Sequence, residues 1–530
     1  MHDFQIADLL ARAVSLHNEG RLAEAEALYG RILQAAPDHF DALHMLGVIR
    51  HQQGRDGEAF ELIGRALAAR PQSAWALSNL GVALLGLRQP QDAIAAFEGA
   101  LRVSPNDVET ISNLAGALFQ AARHDEALAA CERALRIKPN DPEALNTRGN
   151  VLQETGCPEE ALASYDRALS ARSDFVQAHR NRGAALHALN RHQEAIESYG
   201  RALVIDPEDA DAHWNESLAR LCLGDLRLGF AKFEWRWRTS DRASGAARFL
   251  QPLWLGDDSL LGKTILLYGE QGVGDSVQFA RYVPLVRARG GEVVLAVHRE
   301  LKSLLAGMAD LVLSEDEALP KFDVRCPLLS LPLAFRTELA SIPAQVPYLH
   351  TDPARVAYWK ARLPVTASLR VGLAWSGNPT HKNDRQRSIR FEQLAPLLEV
   401  PGIEFVSLQK EPRAIDAEGL RGSPRVIDPA SELEDFSDTA AVVEGLDLII
   451  SVDTAAAHLA GALARPVWVL LPFSPDWRWL LDRDDSPWYP TARLFRQPAA
   501  GDWTSVIQRV AEALGCWARA KVEPGDGPGP

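Results

Sequence analysis

A single period dominates the first half of this chain. Pro37, Pro71, Pro105, Pro139 and Pro207 stand 34 residues apart, with one double step across Ser173. Ala25, Ala59, Ala93, Ala127, Ala161 and Ala195 keep the same step, and Gly229 takes the next place. Gly47, Gly81, Gly149 and Gly183 recur earlier in the unit, and pairs such as Phe97 with Ala100, Tyr165 with Ala168 and Tyr199 with Ala202 recur later. A repeat of this length is one supersecondary unit that stacks on its neighbours. Small residues let two helices approach closely, and the proline ends the second helix before the next unit. Seven units cover roughly residues 6–238. The last is atypical, because Gly229 replaces the alanine and the unit runs into FEWRWR with Phe233, Trp235 and Trp237. A terminal repeat with that much aromatic surface is expected to pack on the domain that follows.

One position in the repeat points to binding. Asn79, Asn113, Asn181 and Asn215 share it, with Thr147 interrupting the series. Amides in a row on a solenoid's inner face can donate to and accept from the backbone of an extended peptide, whatever its side chains. The alternative is that asparagine is a common consensus residue of the repeat; the second half of the chain gives peptide binding a purpose and favours it.

The whole chain has 530 residues, enough for three or four domain-sized units. Acidic residues outnumber basic ones 70 to 56, for a net charge of -14, which argues against general nucleic-acid or anionic-membrane binding. No apolar run reaches the roughly 18 residues of a membrane span, and the N-terminus does not read as a secretory signal. The five cysteines are scattered without a CxxC pair. A cytoplasmic location is the expectation.

From Thr264 onward the pattern changes to short strands alternating with helices, as in parallel sheets with crossover helices. One set runs TILLYGE, EVVLAVH, LVLS and FDVRCPL, with helices expected through FARYVPLVRARG and near ELKSLLAGM. A second runs RVGLAWSG, IEFVSLQ, DLIISVD, PVWVLLP and ARLFRQP, with helices between. The fold expected is an α-solenoid followed by two Rossmann-like halves facing a cleft. The expected divisions are a solenoid over 1–240, a linker over 241–262, an N-terminal half over 263–350, a C-terminal half over 351–520 and a disordered tail over 521–530.

Ligands of such sheets bind beyond the carboxyl ends of the strands, at helix N-termini. Three loops there hold the unusual residues. After DLIISVD, a helix begins near Thr454 with Ala455 and Ala456, so its amides are unobstructed and its dipole favours an anion. Asp453 is expected to cap or brace that turn, and His458 lies one turn on. An ordinary capped core helix would read the same way. The loop SGNPTHKNDRQRS is basic, with His381, Lys382, Arg385, Arg387 and Arg390, and Gly377 shapes its start. It suits neutralisation of a diphosphate, although a solvated charge run has the same composition.

The third loop, GEQGVGDS, has Walker-like glycine spacing in Gly269, Gly272 and Gly274, but Asp275 stands where the phosphate-binding lysine belongs. Negative charge there excludes the Walker role. Two readings stay open: Asp275 begins a helix, with Gln278 at capping-box spacing, or it exposes a carboxylate at the cleft mouth opposite Thr454. Gln271, Trp477 and Arg478 are candidate sugar or nucleotide contacts. Asp482 and Asp484 form a DxD that reads as surface carboxylates.

The order GEQGVGD, GLAWSGNPTHKNDRQRS, SVDTAAAHLAGAL, DWRWLL and SPWYP resembles bacterial tetratricopeptide-repeat glycosyltransferases, whose catalytic half is similar to lipopolysaccharide heptosyltransferases. The layout is also similar to the O-linked N-acetylglucosamine transferases, in which a repeat solenoid presents protein to a GT-B region. The resemblance implies a metal-independent, inverting transfer from a nucleotide sugar, with no cofactor beyond that co-substrate. It implies Asp275 as general base, Asp453, Thr454 and His458 at the donor phosphates, and Lys382 as the donor-phosphate lysine. Two departures accompany it: Trp477, Arg478, Trp488 and Tyr489 fit the repeat-fused group rather than heptosyltransferases, and the repeats favour a protein acceptor over a lipid core. The acceptor expected is a protein such as flagellin or another surface protein. A saccharide- or lipid-linked acceptor, or a non-catalytic scaffold with a degenerate transferase domain, are the alternatives.

Overall fold

The computed structural model describes residues 3–239, 248–363, 368–381 and 383–522. The expected tail from 523 onward and most of the first half of the expected linker lie outside them.

The N-terminal part is a helical solenoid of 14 helices among the described residues, paired as hairpins. The pairs are α1 (Asp3–Asn18) and α2 (Leu22–Ala35), α3 (Phe40–Gln52) and α4 (Asp56–Ala69), α5 (Ala74–Gly86) and α6 (Pro90–Val103), and α7 (Val108–Gln120) and α8 (His124–Ile137). They continue with α9 (Pro142–Glu154) and α10 (Pro158–Ala171), α11 (Val176–Ala188) and α12 (His192–Ile205), and α13 (Ala210–Cys222) and α14 (Leu226–Phe233). The periodic alanines from Ala25 to Ala195 are fully buried where the two helices of a pair meet. The periodic glycines have a steric cause. A Cβ at Gly81 would lie 2.6 Å from the Phe97 ring, and at Gly149 or Gly183 it would lie 2.4 Å from the ring of Tyr165 or Tyr199. The glycine on one helix is therefore the socket for the aromatic ring on its partner.

Helix ends follow from side-chain chemistry. Ser73, Asp107, Asp141 and Asp209 each accept a hydrogen bond from a first-turn amide of α5, α7, α9 and α13. Before the prolines the chain turns extended, as at Ser104 (φ -126°) and Lys138 (φ -130°). Arg172 adopts the same conformation (φ -143°) before Ser173, so the turn survives loss of the proline.

The repeated asparagines are half-buried. Asn79 Nδ2 lies 2.8 Å from His44 Nε2. Asn181 Nδ2 donates to Asn146 Oδ1 at 3.0 Å and Asn150 Oδ1 at 2.8 Å. Both hydrogens of the Asn181 amide are thus spent on the preceding repeat, which leaves its carbonyl for a partner. The donors expected of Asn181 in the ladder are therefore used within the solenoid.

His44 is fully buried, edge-on to the half-exposed Trp75 with ring centroids 4.4 Å apart. Burial pushes its imidazole down from 6.5 to about 4, with Asp41 opposing. The unfolded chain therefore takes up a proton as pH falls through 6.5, and the folded solenoid does not until about 4. Solenoid stability should fall across that window by up to about 3 kcal/mol, at about 1.4 kcal/mol per pH unit per proton. Urea midpoints of helices α3–α6 around His44, followed by pulse-labelled hydrogen exchange, should show this slope and lose His44's share of it in His44→Gln, while His192 in α12, also pushed down to about 4 by burial, keeps its own.

Residues 1–189 and 197–208 form one compact unit, and 190–196 with 209–530 form another. The seventh repeat, α13 and α14, belongs to the second unit, whereas the sequence places the division near 240. Its reason is aromatic. Phe230 and Phe233 meet the Trp477 ring edge-on at 5.4 and 6.4 Å, and Trp477 in turn lies against Phe279 and Trp488.

The rest of the second unit holds two parallel sheets, an α/β arrangement. β1 (Thr264–Tyr268), β2 (Glu292–Val297), β3 (Leu311–Ser314) and β4 (Val324–Pro327) are ordered β3-β2-β1-β4. β5 (Leu369–Ala374), β6 (Ile403–Ser407), β7 (Val426–Ile427), β8 (Leu448–Val452), β9 (Val467–Leu471) and β10 (Ala492–Arg496) are ordered β10-β9-β8-β5-β6-β7. β7, of two residues, is absent from the sequence reading. The helix expected near Glu300–Met308 is a short 3-10 turn over Arg299–Leu301 followed by turns. In each sheet the strand order reverses beside a strand whose carboxyl end carries one of the unusual loops: β1 in the first, β5 and β8 in the second. Such reversal points leave a crevice for ligands.

Candidate functional site

A cleft of about 840 Å³ opens at those strand ends. Its walls include Gln271, Gly272, Gly274 and Asp275 from the loop after β1; Ser376, Gly377, His381 and Arg387 from the loop after β5; and Asp453, Thr454, Ala455, Ala456 and His458 from the loop after β8. The three loops singled out in the sequence therefore meet in one place.

The loop after β1 leads into α15 (Val273–Phe279), with Gly272 as its N-cap. Asp275 sits in the first turn, not at the cap. Its Oδ2 accepts the Gly272 N–H at 2.9 Å, so it braces the turn from inside. Gln278 takes no part in a capping box: its Oε1 accepts from Arg478 Nε at 2.7 Å. The other oxygen of Asp275 pairs with Arg478 Nη2 at 2.5 Å.

α16 (Ala455–Ala462) starts at Thr454, the N-cap, whose hydroxyl lies 3.0 Å from Ser451 Oγ. The first amides of a helix have no intrahelical acceptor, and Ala455 and Ala456, the first residues of α16, line the cleft wall. α15 and α16 nearly touch. A Cβ at Gly274 would lie 3.0 Å from His458 Cδ2 and 3.4 Å from Ala455 Cα, so this glycine is needed for a close approach.

Asp453 does not act as a side-chain cap. Its carbonyl accepts from Arg387 Nη1 at 3.2 Å, and its carboxylate lies 3.8 Å from His458 Nε2. Burial, then the charge of Asp476, hold that carboxyl above the usual range. His458 is buried against Trp479, with Nδ1 3.0 Å from the Tyr489 hydroxyl. Burial, reinforced by Arg478, pushes it down to about 3, so it is neutral at pH 7. It lines the cleft as a neutral imidazole, not as a cation.

Arg387 is the basic-loop side chain that the structure brings to the wall together with His381. Its guanidinium covers Gly377, where a Cβ would lie 2.6 Å from Nη2. Arg385 and Arg390 are exposed, and Arg390 pairs with Glu392. Lys382 lies outside the described residues. Trp477, expected as a ligand contact, is not at the wall: it is 4% exposed within the aromatic core. Asp482 and Asp484 are exposed, as read.

Sequence reasoning missed Glu270, Ser376, Gln409 and Asp476, all at the wall. Asp476 was legible two residues before Arg478. The others carry no local signal, because only the fold brings the ends of β1, β5 and β6 together. Buried polar atoms of Gln271, Ser376 and Arg387 lack a partner, and native proteins leave few such atoms without a role.

Tetratricopeptide-repeat family models match residues 16–80, 78–142 and 114–182, and a further TPR-repeat model matches 185–216. The N-terminal part is a tetratricopeptide-repeat solenoid. Protein FlbA of Caulobacter vibrioides is 32% identical over 324 residues, covering 56% of this chain and 53% of that protein. The chain thus spans about half the length of this curated relative. A thermophilic TPR protein of Thermus thermophilus is similar at 25% identity, covering 34% of this chain and 99% of that one, with a TM-score of 0.32. A tetratricopeptide repeat protein from Parabacteroides merdae is similar at 15% identity, covering 44% of this chain and 93% of that one, with a TM-score of 0.38. No helix among the described residues is long and apolar enough to cross a membrane. The repeats, as a class, point to protein partners.

Proposed function

We propose that the second unit is a nucleotide-sugar-dependent glycosyltransferase of GT-B-like layout and that the repeat solenoid supplies a protein acceptor. The observation that carries the reading is one cleft walled by a carboxylate on the β1 side and by an open helix N-terminus on the β8 side. In this reaction the acceptor hydroxyl attacks the anomeric carbon. The oxygen–carbon bond forms as the carbon–phosphate-oxygen bond breaks, the hydroxyl proton passes to Asp275, and the diphosphate leaves toward Thr454–Ala456 and Arg387. A single displacement inverts the anomeric centre and needs charge stabilisation, which the amides and the guanidinium supply without a metal. Gln271 lies at the same wall as a candidate sugar contact.

Radiolabelled nucleotide sugars incubated with the protein and host lysate test the reading. Label entering protein supports it, label entering only glycan or lipid moves the acceptor, and no label with no nucleotide bound in calorimetry removes the enzyme.

The anion side has its own prediction. Glu in place of Ala456 sets a negative charge where the diphosphate would lie; because Ala456 is buried, the variant is first checked for folding by circular dichroism. Calorimetric affinity for UDP, GDP or ADP, whichever binds the unaltered chain, should fall at least about tenfold, or about 1.4 kcal/mol.

A further inference from the structure

The turn after β9 carries one residue whose backbone conformation is costly, Leu480, and another whose contacts cross the cleft, Arg478. Leu480 holds φ 52° and ψ -163°, a backbone region that residues other than glycine rarely adopt. Arg496 fixes it, donating to the carbonyls of Trp479 at 2.7 Å, Leu480 at 3.0 Å and Arg483 at 2.9 Å. What the turn delivers is Arg478. Its guanidinium lies 4.3 Å from the Trp477 ring centroid, and its side chain is 9% exposed. Nη1 holds Asp476 at 2.8 Å within the turn, while Nε and Nη2 reach over to Gln278 and Asp275 on α15.

Resting on the glycosyltransferase reading, we propose that Arg478 is a positioning residue for Asp275 rather than the sugar or nucleotide contact expected from the sequence. The Gly272 amide holds one carboxylate oxygen and Arg478 the other, so the plane of the carboxylate is fixed and one lone pair on each oxygen is left for the acceptor's proton. Gln278 holds Nε and Asp476 holds Nη1, which restrains the arginine from turning to other partners. The strained turn is the device that carries this arginine from the β9 side of the cleft to the β1 side.

The test is a double-variant cycle on transfer by the full chain: wild type, D275N, R478Q, R478K and D275N/R478Q, each checked for folding by circular dichroism. The labelled nucleotide sugar is the one that the wild type transfers. R478Q should lower kcat roughly 10- to 100-fold, with KM for the donor within about threefold, and R478K should recover part of the rate. The double variant should be no slower than D275N alone, because both changes remove one function. Multiplying effects in the double variant, or a raised donor KM with kcat unchanged, would overturn the proposal and leave the glycosyltransferase reading standing. A wild type that transfers nothing to any acceptor overturns both. If R478Q fails to fold, R478K carries the same comparison: a rate equal to wild type in R478K with D275N inactive also overturns it.

Discussion

Asn at position 275 is expected to cut sugar transfer by about 10²- to 10⁴-fold, the usual worth of a general base, while donor binding stays within about threefold. The amide has the carboxylate's shape but a single acceptor oxygen. It can keep the Gly272 N–H or the Arg478 guanidinium, both of which now point at the carboxylate, and it has no site for the acceptor's proton. Stability should change little compared with the rate, since α15 keeps its capping glycine. Single-turnover transfer and donor calorimetry on the same preparation separate the two effects. Full-rate transfer by a folded D275N chain would return Asp275 to a purely structural role as the brace of its turn.

The largest stability effect is expected at Arg236, in the 3-10 turn that closes the seventh repeat. Its side chain is fully buried. Nη1 donates to Glu234 Oε1 at 2.7 Å, and Nη2 donates to Glu270 Oε1 at 2.9 Å and Ser330 Oγ at 2.7 Å. Met at this position would leave the buried Glu270 carboxylate and the partly buried Glu234 carboxylate without their cation, a change that typically costs about 3–5 kcal/mol. Glu270 gives the loss a pH dependence. Burial pushes its carboxyl up to about 7, with Arg236 pulling against that rise. Without Arg236 that rise is unopposed, so at low pH Glu270 takes a proton and the orphaned charge is relieved. Urea unfolding of Arg236→Met should therefore show a greater loss at pH 8 than at pH 5.5, and Glu270→Gln in the same chain should recover much of it. An equal loss at both pH values would place the cost in packing alone.

These two residues differ in how far the sequence exposes them. Asp275 is legible because it breaks a pattern: glycine spacing that calls for a lysine receives a carboxylate instead. The solenoid is legible because every repeat meets the same packing demand, so Gly81 and Gly149 recur where Phe97 and Tyr165 need room. Long apolar strands such as β8 and β9 are legible for the same reason, being buried on both faces. The partnership of Arg236 with Glu270 is not. Those residues are 34 apart, and each alone is an ordinary charged residue in a loop or a helix end. Trp477 misleads in the opposite direction: an aromatic beside an arginine suits a ligand platform, but the seventh repeat needs that ring for its own packing. The expected helix at Glu300–Met308 fails because apolar residues alone do not fix a period in so short a run.

The division at residue 209 has a consequence for how such a chain can vary. A solenoid changes length by gaining or losing whole units, and each loss exposes a face of the same kind as the one before it. The first five repeats are interchangeable in this sense, whereas residues 190–196 of the sixth already belong to the second unit. The seventh is not, because Phe230, Phe233 and Arg236 are pieces of the cleft's own scaffold. Duplication or deletion upstream can lengthen or shorten the surface offered to a partner without redrawing the cleft, while the seventh repeat stays with the cleft it helps to build.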